Sequence, residues 1–256
     1  MLSGLRALLI DLDGTVYNDD QLIAGAGETI AELRRRGYSC CFVTNTTNKR
    51  RATIKRKLEC WGMEVDEAHV FTAPFAASLM LQSYPQSKCW ILTRGDAVDE
   101  FQKLRLSEMS PDFIVLGDLM EGFTVELLNR IFRKILAGAQ LIALQKNRYW
   151  LTGGKLTLDM GPFVAALEYA TGRRASIIGK PSREFFQLAV SYLQVAPHEI
   201  AMVGDDVEVD IAGAREAGLR TILVQTGKYR PEDLEKMKVK PDGVIESLAD
   251  LGDFLP

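Results

Sequence analysis

The stretch ALLIDLDGT at residues 7–15 decides the fold class of this chain of 256 residues. It opens with a continuous apolar run, Ala7–Ile10, which is typical of a parallel strand buried on both faces. Asp11 and Asp13 follow, and the two-residue period of an extended chain places both carboxylates on the same side. Two adjacent anions are unfavourable unless a cation or a shared proton compensates them. The stretch therefore predicts a buried strand that leads into a charged site.

The same alternation of apolar runs and helical patterns continues along the chain. Further strands are predicted at residues 40–43, 89–92, 113–116, 141–144, 176–178, 199–203 and 221–224. Helices are predicted around residues 30–36, from residue 49, and at 74–82, 98–104, 125–136 and 161–171. Residues 149–158 predict a hairpin that turns at Gly153 and Gly154. Strands that alternate with helices predict an α/β protein with a parallel sheet.

Composition and charge exclude several classes of function. The 31 basic and 34 acidic side chains give a net charge of −3, so no broad basic field is available to attract nucleic acid or a membrane surface. His69 and His198 lie far apart and outside any HExxH pattern, which disfavours zinc chemistry and a histidine-based triad. No stretch reaches the roughly 18 apolar residues of a membrane span. We therefore expect no nucleic-acid partner and no membrane association.

Cysteine usage indicates the compartment. The four cysteines form no CxxC pair and stand at positions 40, 41, 60 and 89. Buried, reduced thiols are typical of a cytosolic protein, whereas disulfide frameworks belong to secreted ones. The first apolar run is too short, and too soon interrupted by Asp11, to be a signal peptide. The sequence therefore predicts a cytoplasmic protein.

Reactive or charged side chains follow four of the predicted strands. Asp11 and Asp13 follow the first strand, and Thr44, Lys180 and Asp205 follow three later ones. A single aspartate after a strand is usually a helix cap, but capping does not account for three acids, a hydroxyl and a cation together. In α/β sheets, ligands bind beyond the carboxyl ends of the strands. Oxygen ligands without thiolate or imidazole favour magnesium over zinc.

These motifs resemble the four signatures of the haloacid dehalogenase superfamily of phosphohydrolases, in the same order along the chain. They are DLDGT at 11–15, TN at 44–45, GKP at 179–181, and GDD at 204–206 followed by Asp210. The resemblance implies a Rossmann-like parallel-sheet core. It also implies a magnesium-dependent reaction that releases phosphate from small phosphorylated compounds through an aspartyl-phosphate intermediate.

The resemblance assigns a role to each motif residue. Asp11 is implied as the nucleophile, and Asp13 as the group that protonates the leaving oxygen and later activates water. Thr44 would hydrogen-bond the phosphoryl group, and Lys180 would neutralise both Asp11 and the phosphate. Mg²⁺ would be held by Asp11, the backbone carbonyl of Asp13, and Asp205.

Four further residues are expected at the edge of the site. Asn45 and Thr46 are expected to help bind phosphate through side chain or backbone. Asp206 and Asp210 are expected to support the metal site or to cap the helix that follows.

The spacing of the motifs predicts an inserted domain. Asp11 and Thr44 are 33 positions apart, whereas Thr44 and Lys180 are 136 apart, which leaves room for a domain of its own. The predicted organisation is a core of residues 1–77 and 178–256, interrupted by a smaller α/β cap at 78–177. In the superfamily, a cap at this position is the large α/β kind of the NagD-like group. Such a cap would exclude water and read the leaving group, and the resemblance also implies a homodimer through it.

A narrower resemblance, to one NagD-like branch, lies in the later half. The matching segments are RYW at 148–150, LDMGPF at 158–163, ALEYA at 166–170 and VQTGKYR at 224–230. That branch holds phospholysine phosphohistidine inorganic pyrophosphate phosphatase and a haloacid dehalogenase-like hydrolase domain-containing relative. Its mammalian members carry serine where this chain has Asp13, so the acid/base role has more support here than in those relatives. Pyrophosphate or a phosphoamino compound is the implied substrate subset.

Some alternatives stay open at this point. Lys146 and Arg148 are candidates for contact with a second anionic group of the substrate, or else belong to a solvated loop. The aromatic residues Tyr149, Phe163 and Tyr169 are expected in the core of the inserted domain, with stacking on the substrate as the alternative. The rival function is a binding or regulatory protein that keeps the fold and has little physiological turnover.

Overall fold

The computed structural model describes residues 2–152, 155–238 and 240–256. Its strands are β1 Ala7–Asp11, β2 Tyr17–Asn18, β3 Gln21–Leu22, β4 Ser39–Thr44, β5 Val70–Thr72, β6 Lys88–Leu92, β7 Arg105–Leu106, β8 Phe113–Leu116, β9 Gln140–Ala143, β10 Tyr149–Thr152, β11 Lys155–Leu158, β12 Ser176–Ile177, β13 Ile200–Gly204, β14 Arg220–Val224 and β15 Gly243–Ile245. Its α-helices are α1 Ala26–Arg35, α2 Arg51–Glu59, α3 Ala73–Gln82, α4 Val125–Leu136, α5 Gly161–Thr171, α6 Arg183–Leu193, α7 Gly213–Glu216, α8 Pro231–Lys236 and α9 Leu251–Phe254. Within the described residues, no helix is long and apolar enough to cross a membrane.

The chain divides into two compact units. The first comprises the residues up to Thr44, then Ala52–Phe71 and Lys180–Pro256. The second comprises Asn45–Arg51 and Thr72–Gly179. One unit is therefore assembled from three separated segments of the chain.

The first unit contains most of a six-stranded sheet with the order β15-β14-β13-β1-β4-β5. The pairings from β4 across to β15 are all parallel, as the alternating pattern predicts. In register, Ile10 of β1 lies opposite Val203 of β13, and Asp11 lies opposite Val43 of β4. The carboxyl ends of these three adjacent strands therefore meet at one edge of the sheet. This register places Asp11, Thr44 and Asp205 at neighbouring strand ends.

Burial explains the continuous apolar runs. Every residue of β1 and of β13 is buried, which fits strands covered on both faces. Leu8 and Ile10 belong to a core cluster that also takes Ile30 and Leu33 from α1. These two helix residues are three apart, so they share the buried face of α1.

The second unit has its own parallel sheet, with the order β12-β9-β8-β6-β7. Its core joins Ile114 and Leu116 of β8 to Ile131 and Ile135 of α4 and to Val164 of α5. The strand that precedes Lys180, β12, pairs with β9 in this sheet. Lys180 therefore does not follow a strand of the first sheet, in contrast to the other motif residues.

Two of the three aromatic residues expected in the core of the inserted domain lie on its surface. Tyr169 is 93% exposed and Tyr149 is 53% exposed, so that expectation is wrong for both. Tyr169 stands on the solvent face of α5, because Val164 and Leu167 of the same helix face the core. Phe163 is partly buried and stacks on Phe123 with ring centroids 4.0 Å apart.

Local details differ from the sequence prediction at two further places. The helix predicted at 98–104 is instead a 3₁₀ helix at Gly95–Phe101. Its acidic side chains accept hydrogen bonds from the backbone N–H groups of Arg50 and Arg51 at the start of α2, so tertiary contacts override the local helical pattern. The hairpin is present as antiparallel β10 and β11, while its predicted turn at 153–154 lies outside the described residues.

Phe185 provides a test of how the segment after Lys180 is held. It is fully buried in α6 and contacts Phe71 of β5 edge to face, at 5.3 Å between centroids. We expect Phe185→Ala to lower the free energy of unfolding by about 3–5 kcal/mol, measured by urea denaturation. Tyr169→Ala, which removes an exposed aromatic side chain, should change it by about 0.5 kcal/mol at most. Equal losses in the two variants would contradict this packing.

Candidate active site

A buried ammonium group lies at the centre of the candidate site. The Nζ of Lys180 donates hydrogen bonds to Asp11 Oδ1 at 2.5 Å and to Asp210 Oδ1 at 2.6 Å. All three residues are buried, with exposures of 3%, 7% and 1% respectively. The two acids reach Lys180 from distant parts of the chain, 169 and 30 positions away. The fold therefore brings together the lysine and two of the acids of the sequence motifs.

Asp205 completes a cluster of three buried carboxylates. One oxygen from each of Asp11, Asp205 and Asp210 lies within 4.8 Å of the others. Only the Lys180 ammonium among the described side chains forms an ion pair with this cluster. The cluster therefore has more negative than positive charge in a buried setting.

Burial, together with the neighbouring negative charges, shifts the pKa values of these acids upward. Burial raises the pKa of Asp11 to about 6, although the adjacent Lys180 opposes the shift. Burial, with the negative charge of Asp210, raises the pKa of Asp205 to about 6. Burial also raises the pKa of Asp210 to about 7 against the effect of Lys180. For Lys180, burial lowers the pKa, but the charges of Asp11 and Asp210 outweigh it and the net direction is upward.

The donor set fits a hard divalent cation. Carboxylate oxygens are preferred ligands of Mg²⁺, and two positive charges would offset the two carboxylates that Lys180 leaves uncompensated. Asp210 is already held by Lys180 and by the backbone N–H of Asp206 at 3.2 Å. Asp11 and Asp205 are therefore the carboxylates best suited to hold the ion, together with the carbonyl of Asp13 as expected from the motif.

Asp206 and Asp210 are expected to support the metal site or to cap the following helix, and the structure gives them different contacts. The side chain of Asp206 caps the next helix, because its Oδ1 accepts from the backbone N–H groups of Glu208 and Val209. That helix is a π-helix at Val207–Ala212, a rare form that is frequent at functional sites. Asp210 lies on it, and its two oxygens accept from Lys180 and from the backbone N–H of Asp206, so it supports the site and also contacts the start of the helix.

Asp13 lies in a different environment from Asp11. It is exposed, and its Oδ2 lies 3.5 Å from the hydroxyl of Tyr17, which is 4% exposed. Burial and the neighbouring Asp13 carboxylate raise the pKa of Tyr17, so the phenol stays protonated and donates. The Tyr17 ring is fixed by Lys57, whose Nζ lies 3.9 Å from its centroid, and by Trp61 at 5.1 Å. Tyr17 could not be identified from the sequence, since no motif distinguishes it from an aromatic residue of the core.

Of the four residues expected to bind phosphate, Lys180 belongs to the buried cluster, and the other three belong to different units. Thr44 ends β4, is 2% exposed, and belongs to the first unit. Asn45 and Thr46 begin the segment Asn45–Arg51 of the second unit and are both half-buried.

Comparison with known proteins identifies the family. The family model described as haloacid dehalogenase-like hydrolase matches residues 8–107, and a second one, described as HAD-hydrolase-like, matches residues 177–251. The bovine phospholysine phosphohistidine inorganic pyrophosphate phosphatase is 36% identical over 99% of this chain and 95% of its own length. The chain belongs to the haloacid dehalogenase-like hydrolase family. A second bovine relative, haloacid dehalogenase-like hydrolase domain-containing protein 2, is 38% identical over 95% of this chain and 93% of its own length.

Solved structures of haloacid dehalogenase-like hydrolases agree with the fold. The p-nitrophenyl phosphatase from Archaeoglobus fulgidus superposes with a TM-score of 0.91 at 26% identity and covers 98% of this chain and 99% of its own. A glycerol phosphate phosphatase from Mycobacterium tuberculosis, solved in complex with magnesium, gives a TM-score of 0.86 at 28% identity, over 98% of this chain and 77% of its own. NagD from E. coli K-12, at 23% identity and a TM-score of 0.88 over 96% of this chain and 98% of its own, shares the fold. The predicted superfamily, the α/β fold class and the hydrolase class are confirmed.

The raised acid pKa values predict how Mg²⁺ and pH act together on stability. Because the folded pKa values of Asp11, Asp205 and Asp210 exceed the ordinary 3.8, the stability that these groups contribute is lost as pH rises from about 4 to about 7 in the metal-free protein. Protons and Mg²⁺ compete for the same oxygens. Mg²⁺ at about 100 times Kd should therefore stabilise the folded chain by about 2.7 kcal/mol near pH 7.5, and by less near pH 5.5.

Thermal unfolding with Mg²⁺ or with a chelator at the two pH values measures this difference. The matched variant Asp205→Asn should show little or no rise in Tm with Mg²⁺ at either pH value. A Mg²⁺-dependent rise at the lower pH that equals the rise at the higher pH would contradict the carboxylate site.

Proposed function

We propose that this chain is a magnesium-dependent phosphohydrolase that releases inorganic phosphate from small phosphorylated compounds. The observation that carries the proposal is the buried Lys180 ammonium between Asp11 and Asp210, beside Asp205. Phosphoryl transfer depends on positioning and on charge neutralisation, and this cluster offers a fixed cation together with acids suited to a divalent ion. The relatives named as phosphatases support the same class of reaction.

Asp11 is the proposed nucleophile. Its Oδ1 accepts the hydrogen bond from Lys180, which leaves Oδ2 to attack phosphorus. The bond from Asp11 to phosphorus forms as the bond from phosphorus to the leaving oxygen breaks, which gives an aspartyl-phosphate. Lys180 offsets the charge of Asp11 and of the phosphoryl oxygens. Magnesium, held by Asp11, the Asp13 carbonyl and Asp205, would supply further positive charge at the phosphoryl group.

Asp13 is the proposed general acid and base. Its exposed carboxyl group is reachable by substrate and by water. In the first step it gives its proton to the leaving oxygen. In the second step it takes a proton from the water that attacks the aspartyl-phosphate, so phosphate is released and the Asp11 carboxylate is restored. The Tyr17 hydroxyl is placed to orient the Asp13 carboxylate during both steps.

The remaining motif residues are proposed to bind the phosphoryl group. The Thr44 hydroxyl would donate to a phosphoryl oxygen at the end of β4, next to Val43 that pairs with Asp11. Asn45 and Thr46 would add donors from the side chain or the backbone. Pyrophosphate and phosphoamino compounds are the proposed substrates within the wider class, which the name of the bovine phosphatase relative supports.

We also propose a role for the insertion and a compartment. The predicted cap, residues 78–177, would select the leaving group and form a homodimer, which sedimentation at micromolar concentration tests. None of the four cysteines, all of which lie within the described residues, forms a disulfide, which supports a reducing compartment such as the cytoplasm.

Asp11→Asn tests the nucleophile. The amide oxygen is still able to accept from Lys180, but the amide does not attack phosphorus, so turnover should fall by about 10⁴-fold or more. Mg²⁺-dependent phosphate release is measured with p-nitrophenyl phosphate, glycerol phosphate, pyrophosphate and a phosphoramidate. Asp233→Asn, which changes an exposed carboxylate of α8, should keep the wild-type rate. Wild-type rates in folded Asp11→Asn would overturn the mechanism, and no release by the wild type would favour the binding-protein alternative.

Asp13→Asn tests the acid and base by separating the two steps. p-Nitrophenolate leaves without a proton, so the variant should release one burst per active site and then stall as the aspartyl-phosphate. The steady-state rate should fall by about 10²–10⁴-fold, and glycerol phosphate, whose leaving group needs the proton, should give no burst. Rapid-quench kinetics measure both. Unchanged steady-state rates would show that Asp13 has neither role.

A further inference from the structure

The loop after β14 closes onto two parts of the candidate metal site. The Thr226 hydroxyl donates a hydrogen bond to the backbone carbonyl of Gly14 at 2.5 Å. Two residues later, the backbone N–H of Lys228 donates to Asp205 Oδ2 at 2.6 Å. Gly14 directly follows Asp13, whose carbonyl is a proposed ligand, and Asp205 is another. One three-residue segment therefore contacts both sides of the site.

The glycine between these two contacts allows the loop to approach so closely. Gly227 has a φ of +60°, and a Cβ there would lie 2.1 Å from Asp205 Oδ2 and 2.6 Å from the Cα of Gly14. Gly14 has a φ of +94°, and a Cβ there would lie 2.3 Å from the same oxygen. Asp205 Oδ2 is thus enclosed by two backbones that carry no side chain, and only glycine fits at either position.

This enclosure determines which carboxylate oxygen of Asp205 is available to a cation. The Lys228 amide and the two glycines take up Oδ2, so Oδ1 is the oxygen left for a cation. The Lys228 side chain contributes little to this arrangement, because it is 72% exposed and lies 3.8 Å from Asp206. The Lys228 backbone amide is therefore the group that holds Asp205, and the Thr226 hydroxyl holds the loop against Gly14.

We propose that Thr226, Gly227 and the Lys228 amide form a positioning element, the 226–228 clamp, that sets the affinity for Mg²⁺. The clamp would hold Asp205 in the orientation of a one-oxygen ligand and would keep the Asp13 carbonyl at a fixed distance from it. This proposal rests on the proposed magnesium site. Removing a group that orients a metal ligand through a hydrogen bond typically changes metal affinity 10- to 100-fold. The effect of the clamp should therefore be measurable as a change in the Kd for Mg²⁺, without any turnover.

Mg²⁺ titration of the metal-free full-length chain by calorimetry tests the clamp. Thr226→Val removes the hydroxyl at nearly constant shape, and should raise the Kd for Mg²⁺ by about 10-fold. Thr226→Ser restores the hydroxyl and should return the Kd to within about twofold of the wild type. In kinetics, the Mg²⁺ concentration for half activation should rise by the same factor, while kcat at saturating Mg²⁺ is kept.

Thr29→Val is the matched control. The Thr29 hydroxyl makes the same kind of contact in the same unit, a hydrogen bond to the backbone carbonyl of Ala249 at 3.0 Å. This variant should lose a comparable amount of stability and keep the wild-type Kd. If Thr29→Val and Thr226→Val weaken Mg²⁺ binding equally, the effect is general loosening and the clamp is overturned.

Two further variants separate failure of the clamp from failure of the metal site. Gly227→Ala, whose methyl group would clash with Asp205 Oδ2, should weaken Mg²⁺ binding more than Thr226→Val. If Gly227→Ala does not fold, the comparison of Thr226→Val with Thr226→Ser still tests the clamp. Asp205→Asn should abolish calorimetric binding. If Asp205→Asn binds Mg²⁺ like the wild type, the proposed metal site itself is wrong. If Asp205→Asn loses binding but folded Thr226→Val keeps the wild-type Kd, only the clamp is wrong.

Discussion

The rest of the site depends on one buried ammonium group placed between two carboxylates. Lys180 lies between Asp11 and Asp210, and its removal would leave three buried acids close together without this counter-charge. Breaking a buried ion pair costs far more than a surface pair, because the remaining charges have no solvent to stabilise them. The parallel sheet brings the acids together, and Lys180 makes their proximity tolerable.

Much of this arrangement could be predicted from the sequence, because the site residues are charged or polar and most of them directly follow apolar runs. Continuous apolar runs marked the buried strands, and acids directly after them marked the active edge of the sheet. The assignments of Asp206 and Asp210 could not be separated in the same way. Both follow β13 within a few residues. The π-helix directs Asp210 to Lys180, whereas Asp206 caps the start of that helix.

Contacts between segments that are far apart in the chain could not be predicted from the sequence. Thr226 reaches a carbonyl 212 positions away, and the resemblance of the segment VQTGKYR at 224–230 does not indicate which group its hydroxyl contacts. The exposure of Tyr169 was missed for a related reason: its helix has one apolar face, and the residue stands on the other. Lys180 follows a strand as expected, but that strand belongs to the other sheet. Sequence pattern therefore identifies which groups take part, while tertiary packing decides how each is held.

The separation of Asp11 and Lys180 by 169 positions also constrains how the protein is made. The ribosome completes β1 and β4 long before it adds Lys180, β13 and Asp210. Until then the Asp11 carboxylate has neither its counter-charge nor the neighbouring strand β13, so an early, fully packed sheet edge would bury an unpaired anion. Productive folding of this edge is therefore delayed until the last third of the chain has emerged, and the intervening unit can fold first as a body of its own.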